Sequence, residues 1–175
     1  MSESAFIVRV PEAEACVAKL RQRFDPSVAL GVPAHITVLA PFMEPNLISQ
    51  EVLSQLRAAL GTVKSFQFQL GTVARFPATA YLAPEPAEAF VALTELLVRH
   101  FPHFPPFRGA HPTIVPHLTV ANGNASEAEA AASELEAVLG AHGPIAAKCS
   151  SVVLLENSTG LWKELHAFPL RNQDG

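Results

Sequence analysis

The sequence predicts an α+β protein made by duplication: two lobes, each an antiparallel-type sheet flanked by helices, related by a pseudo-twofold axis around a central cleft. Three observations predict it. Strand and helix signals run in one order, strand, helix, strand, helix, strand, in both halves of the chain. The middle strand of each half carries a tetrapeptide of one pattern, His35-Ile36-Thr37-Val38 and His117-Leu118-Thr119-Val120. The two histidines are 82 residues apart (35 to 117), and the helix starts that follow them 79 (47 to 126), which is close to a single repeat length. The 175 residues then form one domain with lobes at about 1–77 and 78–175, long enough to bury a sizeable core.

Taken in order, residues 5–10 alternate and are rich in β formers, which makes a first strand. Pro11 suits the first turn of a helix and Glu12 and Glu14 its positive end, with Val17, Leu20 and Phe24 as the apolar stripe. Asp25-Pro26 closes that helix, and a loop leads to the first repeated strand at His35, which Pro41 ends. A helix over 47–60 buries Ile48, Val52, Leu53, Leu56 and Leu60 and stops at Gly61. Residues 65–76 place Phe66, Phe68 and Leu70 in period two, as a strand or hairpin arm. The order then restarts. A short strand over 79–83 precedes a helix opened by Pro86, with Phe90, Leu93, Leu96 and Leu97 inward. A loop dense in Pro and Phe, 100–116, leads to the second repeated strand at His117. Ser126 and Glu129 form a capping box for a helix to Gly140, and 145–155 and 161–170 close the fold as two strands.

Composition narrows the function classes. Apolar residues make up 49% and charged residues 16%, as in an ordinary globule. A net charge of −4 argues against a surface that follows a long nucleic-acid backbone, which needs clustered Lys and Arg. A small anion or one end of an RNA still needs only local donors. The N-terminal stretch is not a secretory signal, and no apolar run has the length of a membrane helix. Cys16 and Cys149 have no metal or disulfide spacing, so an intracellular, cytoplasmic chain with reduced thiols near the core is expected.

The repeated tetrapeptide carries the chemistry. Strand alternation puts His35 and Thr37 on one face and Ile36 and Val38 on the other; His117 and Thr119 share a face in the same way. Composition alone yields roughly 0.08 such strings in a chain of this make-up, so two copies point to a function rather than to accident. If the halves set these strands across a cleft, an imidazole stands on each side of whatever is bound. In-line displacement at phosphorus needs a base on the entering side and an acid on the leaving side. Histidine serves as both near neutral pH. The threonine hydroxyls are placed to donate to the non-bridging oxygens, where charge grows. These roles use no metal and no cofactor. Two histidines and two threonines make a poor zinc set, since catalytic zinc takes three protein ligands. No GxSxG elbow or Cys–His signature supports a covalent nucleophile. The remaining alternative is that both tetrapeptides are core strands with satisfied polar groups. A third string, His111-Pro112-Thr113, has a proline in the middle and lies in the 100–116 loop; His111 at most borders the cleft.

With Pro33-Ala34 before the first motif, Ala40-Pro41-Phe42 after it and Val115-Pro116 before the second, the chain resembles the two-histidine (2H) phosphoesterase superfamily, in its 2′-5′ RNA ligase-like and cyclic phosphodiesterase branches. The resemblance implies a bilobal α+β fold and metal-independent cleavage of 2′,3′-cyclic phosphodiesters or related ribose phosphates. It implies His35 and His117 as the catalytic pair and Thr37 and Thr119 as phosphate-binding hydroxyls. Arg75 and Arg108 are further candidates to hold a second phosphate, and Phe42 to stack on a base. The expected partner is a small nucleotide or ribose cyclic phosphate, or a short RNA end, with no membrane and no long duplex, and the chain is expected to act as a monomer. The alternative is a module that binds a nucleotide or RNA end in the same cleft without turnover.

Overall fold

The computed structural model describes residues 1–173. Among them the chain forms β1 (Ser4–Arg9), α1 (Glu14–Phe24), β2 (His35–Leu39), α2 (Gln50–Leu60), β3 (Phe66–Phe76), β4 (Thr79–Glu85), α3 (Glu88–His100), β5 (Leu118–Asn122), α4 (Ala125–His142), β6 (Ile145–Cys149), β7 (Ser151–Glu156) and β8 (Lys163–Pro169). The strands make two four-stranded antiparallel sheets, ordered β2-β1-β7-β8 and β5-β4-β3-β6. The two orders match strand for strand. Each motif strand is an edge, and each half's opening strand, β1 or β4, lies beside it. That is the expected α+β architecture with its twofold relation.

The lobes do not divide at residues 77 and 78. β3, from the first half, pairs with β4 and β6 in the second sheet, while β7 and β8 return to the first. The helices cross over too: α1 packs on β5 and α4, and α3 packs on β2 and α2. The reason is a matter of edges. β1 and β4 each need a partner on the side away from the motif strand, and the strand that reaches it comes from the other half in both cases. The expected single strand over 145–155 is therefore two, which part at Ser150 into different sheets. No glycine or proline marks that break in the sequence.

One core runs through both sheets, from Phe6 and Ile36 to Phe90, Leu118, Leu135 and Phe168. β1 is buried on both faces, since its second face carries Ile7, which packs with Val32, Val153, Leu155 and Trp162 in a smaller cluster. Ser49 caps α2 by accepting from the Val52 amide at 3.2 Å. α4 does not use the expected capping box. Asn124 is its cap, accepting from the Glu127 amide at 2.9 Å, and the helix runs two residues past Gly140 to end before Gly143, whose φ of +79° suits glycine. Cys149 is buried, which pushes its thiol up to about 12, and Cys16 packs against the core. Among the described residues no helix is long and apolar enough to cross a membrane.

Candidate active site

The first motif is held from behind by its approach loop. Arg21, on the last turns of α1, is buried and donates from Nε to Asp25 Oδ2 at 3.0 Å. Its Nη2 donates to Ser27 Oγ at 3.1 Å and to the Val32 carbonyl at 2.9 Å, so one guanidinium gathers the whole turn that precedes His35. Glu14 accepts the Ala34 amide at 2.8 Å. Gly31, at φ +87°, lets the loop lie against the Trp162 carbonyl, where a Cβ would stand 3.1 Å away.

From there β2 follows the alternation read from the sequence. Ile36 and Val38 are buried, while His35 and Thr37 are partly exposed on the cleft face. Thr37 lies opposite Ile7 and His35 opposite Arg9 across the β1–β2 ladder. In the second sheet Thr119 lies opposite Tyr81, and His117 sits at the mouth of β5, one residue ahead of the ladder. The His117 ring meets Phe76 and Tyr81 edge-on, each with centroids 5.4 Å away.

The two imidazoles share one local geometry. His35 Nδ1 is 2.7 Å from the Pro33 carbonyl, and His117 Nδ1 is 2.6 Å from the Val115 carbonyl. A carbonyl only accepts, so Nδ1 carries the proton in both rings and Nε2 is left as the free pole of each neutral imidazole. The β2 and β5 edges are in contact. His117 is also close enough to help hold the His35 pKa below its usual 6.5, although desolvation is the main cause, opposed by the Pro33 hydrogen bond. Arg21 adds to the lowering, and Asp25 works against it.

Two cavities meet at this point. The larger, about 450 Å³, runs from Thr37 and His117 beneath the 106–116 segment to α3. The smaller, about 240 Å³, holds His35, Thr37 and Trp162. Thr37, Ala40 and Phe107 border both. Among the described residues no group of three or more His, Cys, Asp or Glu side chains is disposed to hold a metal ion.

The family model described as the 2′-5′ RNA ligase superfamily matches residues 9–161. The chain belongs to that superfamily. A Bacillus pumilus protein named "Putative phosphoesterase" is 32% identical over 105 residues, and a Bacillus cytotoxicus protein of the same kind matches equally. Each match covers 58% of this chain, and the chain spans 58% of each relative's length. Among solved structures, a Thermus thermophilus protein, TT0787, aligns with a TM-score of 0.65 at 18% identity, covering 98% of this chain and 99% of that one. Escherichia coli LigT complexed with 3′-AMP aligns with a TM-score of 0.60 at 14% identity, covering 97% and 98%. These likenesses establish the superfamily fold.

Three candidate side chains of this superfamily member lie away from the joined cavities. Phe42 is core: it is 5% exposed, with Phe6, Phe101 and Phe104 within 5.2 Å of its ring, so no face is open to a base. Arg75 lies opposite Ala80 on β4, one step out of phase with Tyr81, and so faces α4 rather than the cleft. There it binds Glu129 and Glu136, and its hydrogen bonds to their carboxylates, the one to Glu129 first, hold its pKa above the usual range. Arg75→Ala is expected to leave cleft chemistry unchanged, checked by equal kcat/KM in variant and parent. Arg108 turns to Glu3 Oε1 at 2.8 Å over a depression that adjoins the smaller cavity along Glu3 and Pro41 without Arg108 lining that cavity. His111 does border the larger cavity from the loop. Sequence reasoning missed Arg21 and Glu14, which look like ordinary helix-face charges until the loop folds onto them, and Phe107, one of eleven phenylalanines.

Proposed function

We propose that the protein is a phosphoesterase that opens 2′,3′-cyclic phosphates, or related ribose cyclic phosphodiesters and 2′-5′ linkages, by metal-independent histidine acid–base catalysis. The observation that carries this reading is the matched pair of imidazoles, each tied at Nδ1 and free at Nε2, bordering cavities that share Thr37. His35 is the base. Burial disfavours its protonated form, so its Nε2 lone pair is available at neutral pH. A water loses its proton to His35 as its oxygen bonds to phosphorus, the bond to the ribose oxygen breaks opposite, and His117, acting in its imidazolium form with Nδ1–H held by the Val115 carbonyl, gives its Nε2 proton to the departing oxygen. Thr37 and Thr119 donate to the non-bridging oxygens. A nucleoside 2′- or 3′-phosphate results.

The sign of the pH dependence follows from these roles. Activity falls when the base is protonated, and the His35 pKa lies below its ordinary 6.5. The acid limb of kcat/KM is therefore expected below pH 6.5, and a pH–rate profile measures it. Phosphorus NMR of a nucleoside 2′,3′-cyclic phosphate with excess chelator tests the reaction. Turnover with loss of the cyclic resonance supports it; tight binding with an unchanged substrate signal identifies a binding module instead.

A further inference from the structure

We infer that the larger cavity receives the nucleobase of the substrate and that Phe107 is the surface on which the base stacks. The assignment rests on the phosphate lying between His35 and His117, and deepens that reading.

Phe107 is unlike the other phenylalanines of the chain. Of the eleven, only Phe76 and Phe107 stand markedly exposed, at 37% and 45%, and Phe76 is covered by Tyr81 and His117. The Phe107 ring has His111 beside it, edge-on at 5.4 Å, and open space elsewhere along the cavity. Its backbone is also unusual. Phe107 and Arg108 have φ of +50° and +55°, in the left-handed region that bulky residues avoid. The Phe107 amide fixes the turn by donating to the Ala40 carbonyl at 2.7 Å, just past the end of the first motif strand. A strained turn that exposes an aromatic ring and anchors it to a catalytic strand is hard to account for by packing.

The position of the ring decides what it would meet. In opening a cyclic phosphate the ribose leaves on the side of the acid, His117, and His117 borders the larger cavity. The smaller one, on the His35 side, is left for water. A nucleoside whose phosphate lies at Thr37 and His117 extends into the larger cavity, past Phe107. The walls there set aliphatic side chains, among them Val38, Val98 and Ile114, beside the polar groups of Thr94, Glu95 and Arg99. Such walls offer stacking on Phe107 and apolar contact to a flat, uncharged ring, with hydroxyl and charged groups available to its edges. Selection by ring size follows, with purines ahead of pyrimidines.

The test compares adenosine 2′,3′-cyclic phosphate with base-free ribose 2′,3′-cyclic phosphate. Calorimetric binding of adenosine 3′-phosphate and ribose 3-phosphate runs beside it and needs no turnover. Phe107→Ala is expected to raise KM and Kd for the adenosine compounds about 10-fold, to leave the ribose compounds unchanged, and to change kcat little. Phe107→Trp restores the adenosine values and Phe107→Leu does not. Trp162→Phe, in the smaller cavity, keeps the base-dependent ratio. An adenosine-to-ribose ratio that survives Phe107→Ala, or that falls instead with Trp162→Phe, overturns the assignment. If no substrate is turned over, phosphoesterase activity fails while the binding ratio still decides the role of Phe107.

Discussion

Replacing His35 or His117 with alanine is expected to slow turnover of a nucleoside 2′,3′-cyclic phosphate by roughly 10²–10⁴-fold, the usual worth of one positioned acid or base. The double variant is expected to lose far less than the product of the two, because acid and base act on one displacement and removing either already breaks it. Folding is not at stake. Both rings are partly exposed at the cleft, and each side-chain hydrogen bond runs only to a carbonyl two residues back. Circular dichroism should therefore superpose for all variants, and the rates can be read as chemistry. Asparagine at either position is a sharper probe, since it can keep a polar contact but cannot shuttle a proton in this pH range. Full turnover in either alanine variant would remove the two-histidine mechanism.

The geometry of the motifs was legible because it is local. Period-two alternation alone places His35 with Thr37 and His117 with Thr119, and the ladders fix Thr37 and Thr119 while His117 stands one residue ahead of β5. Helices followed from their apolar stripes, with the start of α4 misplaced. The capping box expected at Ser126 and Glu129 does not form: Asn124, two residues earlier, caps the helix, and Glu129 goes to Arg75. Lobe membership was not legible. Nothing near Ser150 tells that the chain changes sheet, because the choice is made by which open edge lies nearest once β1 and β4 are placed. Long-range pairing has no signature in one strand's own residues. The same holds for Phe42, beside a motif and a candidate to stack on a base, and for Arg75, a candidate to hold a second phosphate. Three aromatic rings claim one, and two carboxylates on α4 claim the other.

Arg21→Ala is expected to destabilise the fold by about 3–5 kcal/mol, as when one partner of a buried ion pair is removed. The Arg21 and Asp25 side chains are 3% and 5% exposed, so the carboxylate left behind keeps its desolvation penalty without its counter-charge. Ser27 Oγ and the Val32 carbonyl lose their donor in the same step. Denaturant unfolding measures the loss, and Arg21→Ala with Asp25→Ala should recover part of it, since the orphan charge is then gone too. A second readout separates positioning from bulk stability. Arg21 is one of the charges that hold the His35 pKa down, and it orders the loop that delivers His35. Well below its unfolding midpoint, the variant should show an acid limb of kcat/KM moved to higher pH, with kcat reduced because the imidazole is less well aimed. A surface arginine would change neither. An unmoved limb with an unchanged midpoint would mean that the guanidinium neither supports the loop nor acts on the base.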